Sequence, residues 1–256
     1  MNKEKNSFLR ITFGRVIPAI LAGYFVYYTV FYTIAIRSQL KEWNAIEPTD
    51  TIRYTEEEWQ LIRTKTFLDA RLAMSESDSI GMTINLRDSL VQLEMKGVVL
   101  RQVKFDKLEI SRFYKGLTPL AYASHFSTPF TIGEIEGSII IEPITIKRVP
   151  KDTLEAAQNE VKVDTTGTEF VEWHFTLDSA MMVSFVQSDQ LKGPITLETL
   201  KYRFRRYLKT LVETNHSTLR FKKPHLYPEM TIFLPANEAK SFYRALPPRG
   251  QVVLKL

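Results

Sequence analysis

The sequence contains no cysteine. Disulfide bonds, thiolate zinc sites and a cysteine nucleophile are thereby excluded, and whole enzyme classes go with them. Histidine is scarce too: His125, His174, His216 and His225 are scattered, with no pair at metal-ligand spacing, so no metal site is expected. His174 stands in an alternating stretch beside Glu172 and Trp173, where a solvent-facing or hydrogen-bonded structural histidine is the expectation. G-x-S-x-G, Walker, G-x-G-x-x-G and H-E-x-x-H motifs are missing, no carboxylate pair stands out for acid–base work, and no internal repeat signals a solenoid. Catalytic residues and cofactors are accordingly expected to be none.

Long apolar runs are also few. The one that exists, VIPAILAGYFVYYTVFYTIAI at 16–36, is uncharged throughout and flanked by Arg15 and Arg37. About 20 such residues rising roughly 1.5 Å each cross a hydrocarbon core of about 30 Å, so the run reads as a single membrane-spanning helix. Secretory signal peptides have shorter apolar cores, about 7–15 residues, and a small-x-small cleavage site, for which Thr33-Ile34-Ala35 is poor. An uncleaved signal anchor is therefore expected. Lys3, Lys5, Arg10 and Arg15 precede it against the single acid Glu4, which puts the N-terminus in the cytoplasm of a bacterial inner membrane and the rest in the periplasm. Tyr24, Tyr28 and Tyr32 recur every fourth residue with Tyr27 and Phe31 beside them, while Ala19 and Gly23 form a small-xxx-small pair. Hydroxyls at that depth lack lipid partners, so this face is expected to pack on another membrane protein.

Periodicity organises the remainder. Residues 39–51 are polar, with Pro48, and read as a stalk; Thr55 followed by Glu56, Glu57 and Glu58 opens a helix over 55–74. From Ile80 the period becomes two, giving antiparallel strands near 80–86, 90–95, 98–105 and 108–112, then a loop-like stretch at 114–128 with Gly116 and Pro119. Further strands are expected at 130–137, 138–149, 170–177 and 181–187, with a strand, short helix and strand closing the chain over 231–256. The fold class is thus a single N-terminal transmembrane helix plus a mainly antiparallel β (α+β) extracytoplasmic domain. Its divisions are a cytoplasmic N-terminus at 1–15, the span at 16–36, stalk and connecting helix at 37–79, and the β-rich domain at 80–256 with a polar excursion at 151–169.

Formal net charge is +5, and the excess is local. A helix over 197–212 carries Leu197, Leu200, Phe204, Leu208 and Leu211 on one face. Lys201, Arg205 and Lys209 share another, with Arg206 adjacent and Arg220, Lys222 and Lys223 following. Such a basic surface can hold an anionic polymer, the acidic face of a partner, or lipid headgroups. Nucleic acid is not an expected partner, because this helix lies beyond the membrane.

Three stretches in order carry a family resemblance. IGMTINLRDSLVQLEMKG at 80–97, STPFTIG at 127–133 and IFLPANEAKSFYRALPPRGQVVL at 232–254 together resemble the YkuD-type L,D-transpeptidases, which crosslink peptidoglycan through a β-rich domain. The resemblance implies the opening hairpin, the TP-G-F-I segment and the final helix and strand of that family. Where it would place the Ser-His-Gly-Cys motif, this chain has Pro228, Glu229, Met230 and Thr231, so it implies a catalytically silent relative. The expected function is a non-catalytic membrane-anchored subunit of a bacterial cell-envelope complex. Its transmembrane helix would bind a membrane partner and its basic helix an acidic partner or peptidoglycan. An envelope enzyme acting on peptidoglycan, transpeptidase-like or hydrolytic, is the alternative.

Overall fold

A computed structural model describes residues 16–45, 54–139, 170–178, 180–188, 197–220 and 226–256. The strand expected at 138–149 falls almost wholly outside these residues, as does the excursion at 151–169. Among them, one helix, α1 (Ile17–Asn44), is long and apolar enough to cross a membrane.

The helix α2 (Glu56–Ser75) begins as its sequence dictates. The Thr55 hydroxyl accepts from the Glu58 backbone N–H, and the Glu58 carboxylate accepts from Thr55 N–H at 2.7 Å, a complete capping box. Strands β1 (Gly81–Asn85), β2 (Leu90–Met95) and β3 (Val98–Lys104) follow as an antiparallel meander. Lys96 and Gly97 both take positive φ, 51° and 77°, which gives the two-residue turn the twist that adjoining strands need. Strand β4 (Lys107–Ile110) leaves the meander for the far edge of the sheet.

The stretch at 114–128, expected as loop, is helical instead. A 3-10 turn (Arg112–Gly116) leads into α3 (Pro119–Phe126), whose first turn is started by Pro119 and capped by the Thr118 hydroxyl on Ala121 N–H. Pro119 and Gly116 are thus boundary residues of short helices. There follow β5 (Phe130–Gly137), β6 (Glu172–Leu177), β7 (Met181–Gln187), α4 (Leu197–Leu219), β8 (Glu229–Leu234), α5 (Ala236–Ala245) and β9 (Gln251–Lys255).

The strands form one mixed sheet in the order β3-β2-β1-β9-β5-β6-β7-β8-β4. Pairing is antiparallel except for β1 with β9 and β7 with β8, so the early and late halves of the chain interleave in one sheet. Alternation sorts the central strands: Trp173, Phe175, Val183, Phe185, Met230 and Ile232 turn to the core, all fully buried. Trp173 stacks on Phe185 at 4.4 Å and donates its indole N–H to the Ala239 carbonyl of α5 at 3.2 Å.

Residues 39–44, expected as part of a polar stalk, are instead the last turns of α1 and are packed on the domain. Leu40 and Trp43 join the main core; Trp43 meets Phe113 edge-on at 5.2 Å and His125 at 4.3 Å. Asn44 donates to the Gly116 carbonyl at 2.9 Å and accepts from Thr118 N–H. A Cβ at Gly116 would lie 2.5 Å from the Leu40 side chain, so glycine permits this close approach. Trp43→Ala is expected to destabilise the protein by about 2 kcal/mol, below the roughly 3–5 of a fully buried aromatic. Urea unfolding checks it, and an unchanged midpoint would refute the docking of α1.

Candidate functional site

The face of β5–β8 opposite the core is polar. Register aligns Glu136 of β5, His174 of β6, Ser184 of β7, Thr231 of β8 and Glu109 of β4 in one row across five strands. The helix α4 lies over this row, and it does so with its charged side inward. Arg203 Nε donates to Glu172 Oε2 at 2.7 Å. Arg206 pairs with Glu229, donates to the Ser184 hydroxyl at 3.2 Å, and stands 3.6 Å from Glu172. Lys209 bridges Glu134 at 3.1 Å and Glu136 at 2.9 Å. Tyr202 is buried with its hydroxyl on His174 Nδ1.

The leucine stripe consequently points away from the sheet. Leu197 is 74 % exposed, Leu200 56 % and Phe204 61 %, where an amphipathic reading would bury them; the Leu211 side chain lies outside the described residues. The reason is the surface on which α4 lands: Glu172, His174, Ser184 and Glu229 offer ion-pair partners and little apolar area.

Two cavities adjoin this row. One of about 240 Å³ is bordered by Tyr28, Tyr32, Glu136, His174, Arg206 and Glu229. A neighbour of about 280 Å³ lies between Tyr32 and Ile36 of α1 and Glu109, Phe113, Glu229 and Thr231. Pro228, Glu229 and Thr231 line the second cavity together.

Burial pushes the His174 imidazole down to about 4, reinforced by Arg206, so it is neutral at physiological pH. Burial works against the Glu229 charge, but Arg206 and the Ser184 hydroxyl override it and hold the carboxyl below its usual range. Glu136 is likewise lowered, burial being outweighed by Lys209. Desolvation raises the Tyr202 phenol above its ordinary value. The Ser184 hydroxyl donates a hydrogen bond to Glu229 at 2.7 Å, a carboxylate whose basicity is reduced by Arg206.

Part of the tyrosine face expected to meet a membrane partner touches the chain's own domain. Tyr24 donates to the Asn215 side chain of α4, Tyr28 and Tyr32 border the first cavity, and Tyr27 and Phe31 pack ring to ring at 4.5 Å. Ala19 and Gly23 are exposed, with nothing within 4 Å of a Cβ at Gly23. Of the basic residues expected to bind an anionic partner, Lys201, Arg205 and Arg220 are exposed, Arg206 and Lys209 answer acids of the sheet, and Lys222 and Lys223 lie outside the described residues. Sequence reasoning missed Glu134, Glu136, Glu172, Ser184 and Glu229. Their signal was polar alternation, which every solvent-facing strand also shows. His174 is the hydrogen-bonded structural histidine, one of the two readings its strand allowed. Among the described residues no group of three His, Asp or Glu is placed to hold a metal ion.

Comparison with protein-family models, curated proteins and solved structures finds no match to this chain.

A histidine whose folded value is about 4 against 6.5 unfolded favours the neutral folded state. Its stabilisation is complete above pH 6.5 and is lost as pH falls toward 4, on the order of 2–3 kcal/mol in all. Stability measured by urea unfolding is expected to decline between pH 6.5 and 4.5 and to decline less in His174→Phe; parallel curves would refute the assignment.

Proposed function

We propose that the chain is a non-catalytic, membrane-attached subunit of a bacterial cell-envelope complex. One observation carries this reading: the charged groups around the cavities are committed to one another within the domain, while apolar side chains are presented outward on α1, α4 and the sheet edge. A surface arranged so is suited to contact, and the only serine in the row hydrogen-bonds to a carboxylate of weakened basicity.

The protein partner of this reading docks at β3. That strand closes the sheet with its outer backbone unpaired by any described strand, and Met95, Val98, Val99 and Leu100 are exposed beside it. An open backbone edge with apolar side chains suits an extended segment of another protein, added as a further strand. The resemblance of 80–97, 127–133 and 232–254 to the transpeptidases, with Glu229 and Thr231 where the motif would be, fits a domain that kept a fold and lost its chemistry.

Full-length protein purified in mild detergent is expected to bring a partner with it. Val99→Lys is expected to release that partner without changing the melting temperature. A lone monomer in mild detergent would overturn the proposal. Turnover of purified muropeptides that disappears in Ser184→Ala would favour the envelope enzyme instead.

A further inference from the structure

The membrane attachment proposed above leaves open how α1 meets lipid, and the packing of α1 bears on it. Its contacts with the domain run from Tyr24, bonded to Asn215, through buried Ala35 to Trp43 and Asn44. Upstream of Tyr24 the described part of α1 is Ile17 to Gly23, seven residues or about 10 Å, against about 30 Å of hydrocarbon. Standing α1 upright across the bilayer would carry Glu134, Glu136, His174, Arg206, Lys209 and Glu229, which flank Tyr28 and Tyr32, into the hydrocarbon. Ionisable groups at that depth are expensive, even when paired.

The two helices offer another arrangement. Away from Tyr24, Tyr28 and Tyr32, α1 exposes Val26, Val30 and Ile34, with Arg37 and Lys41 exposed at the end of the same side. Its neighbour α4 exposes Leu200, Phe204, Leu208 and Val212, flanked by exposed Arg205. We propose that α1 and α4 together form an apolar platform that lies in the plane of one leaflet, with Arg37, Lys41 and Arg205 on anionic headgroups. The chain is then attached to one face of the bilayer and does not cross it. Apolar composition on α1, continuity of α4 with α1 through Tyr24 and Asn215, and cations at the rim are what an interfacial pair of helices requires. The inverted seating of α4 acquires a reason: its charged side holds the sheet so that its apolar side can hold lipid.

The absence of native cysteine makes the test clean. Full-length Val16→Cys/Arg87→Cys, in sealed vesicles of phosphatidylethanolamine and phosphatidylglycerol, is treated with a membrane-impermeant maleimide and weighed by mass spectrometry. Attachment to one face gives chains with two labels or none; chains with one label, from a helix that crosses, would overturn the proposal. In the same vesicles, fluorophores at Val30→Cys and Phe204→Cys are expected to be quenched by nitroxide lipids and shielded from iodide, with Arg87→Cys the reverse. Lipid quenching at 30 combined with iodide quenching at 204 would overturn the role of α4, and shielding of 204 from both would assign its face to a protein or a second copy. Absence of lipid quenching at 30 and 204 alike, with the protein failing to float with vesicles, would refute membrane attachment itself. Melting curves of each variant show whether the fold is retained, and the substituted side chains are all exposed.

Discussion

The ion pairs between α4 and the sheet, Arg206 with Glu229 and Glu172 above all, set the arrangement of everything on that side of the molecule. Both carboxylates stand on the outward face of their strands by simple alternation, and so does Ser184 between them. A helix laid over such a face must bring cations or leave carboxylates desolvated, which is the more expensive course. Arg203, Arg206 and Lys209 recur along one side of α4 and meet that need. The leucines of the same helix are then turned outward by geometry alone, because they occupy the opposite side.

The other side of the sheet obeys ordinary rules. Trp173, Phe175, Phe185, Phe242 and Trp43 gather a core of aromatic and branched side chains, and the interleaved strand order ties the N-terminal meander to the C-terminal strand β9. Docking of Leu40, Trp43 and Asn44 makes α1 part of this body, so the apolar helix cannot be treated as a free leash. Apolar core on one face and charge pairs on the other give the sheet two different coverings; α4 belongs to the charged one, and α1 reaches the core through Leu40 and Trp43.

Much of this was legible from local pattern. Thr55 with Glu58 announces α2, Lys96-Gly97 announces a tight hairpin, and the alternation at 80–95 and 172–187 gives strands of the right length. Failures came where meaning depends on what lies opposite. Pro119 and Gly116 suggest a loop in sequence, whereas Thr118 as a cap makes them helix boundaries. Gln39 and Lys41 make residues 39–44 look like stalk, although Leu40 and Trp43 at helical spacing carry the contact. A helix at 197–212 was visible, but its orientation depends on Glu172 and Glu229, which are 57 positions apart and are brought to the same Arg206 only through the pairing of β6, β7 and β8. No rule of periodicity reveals that a helix will bury its charges and expose its leucines.

The seating of α4 is tested most directly by a double-mutant cycle on Arg206→Met and Glu229→Gln, with stability measured by urea unfolding of the full chain. The account expects a favourable coupling on the order of 1–3 kcal/mol, as for charged groups in contact within one network. Additive effects, with coupling below about 0.5 kcal/mol, would mean that the two residues do not hold the helix, and the outward leucine face would lose its cause.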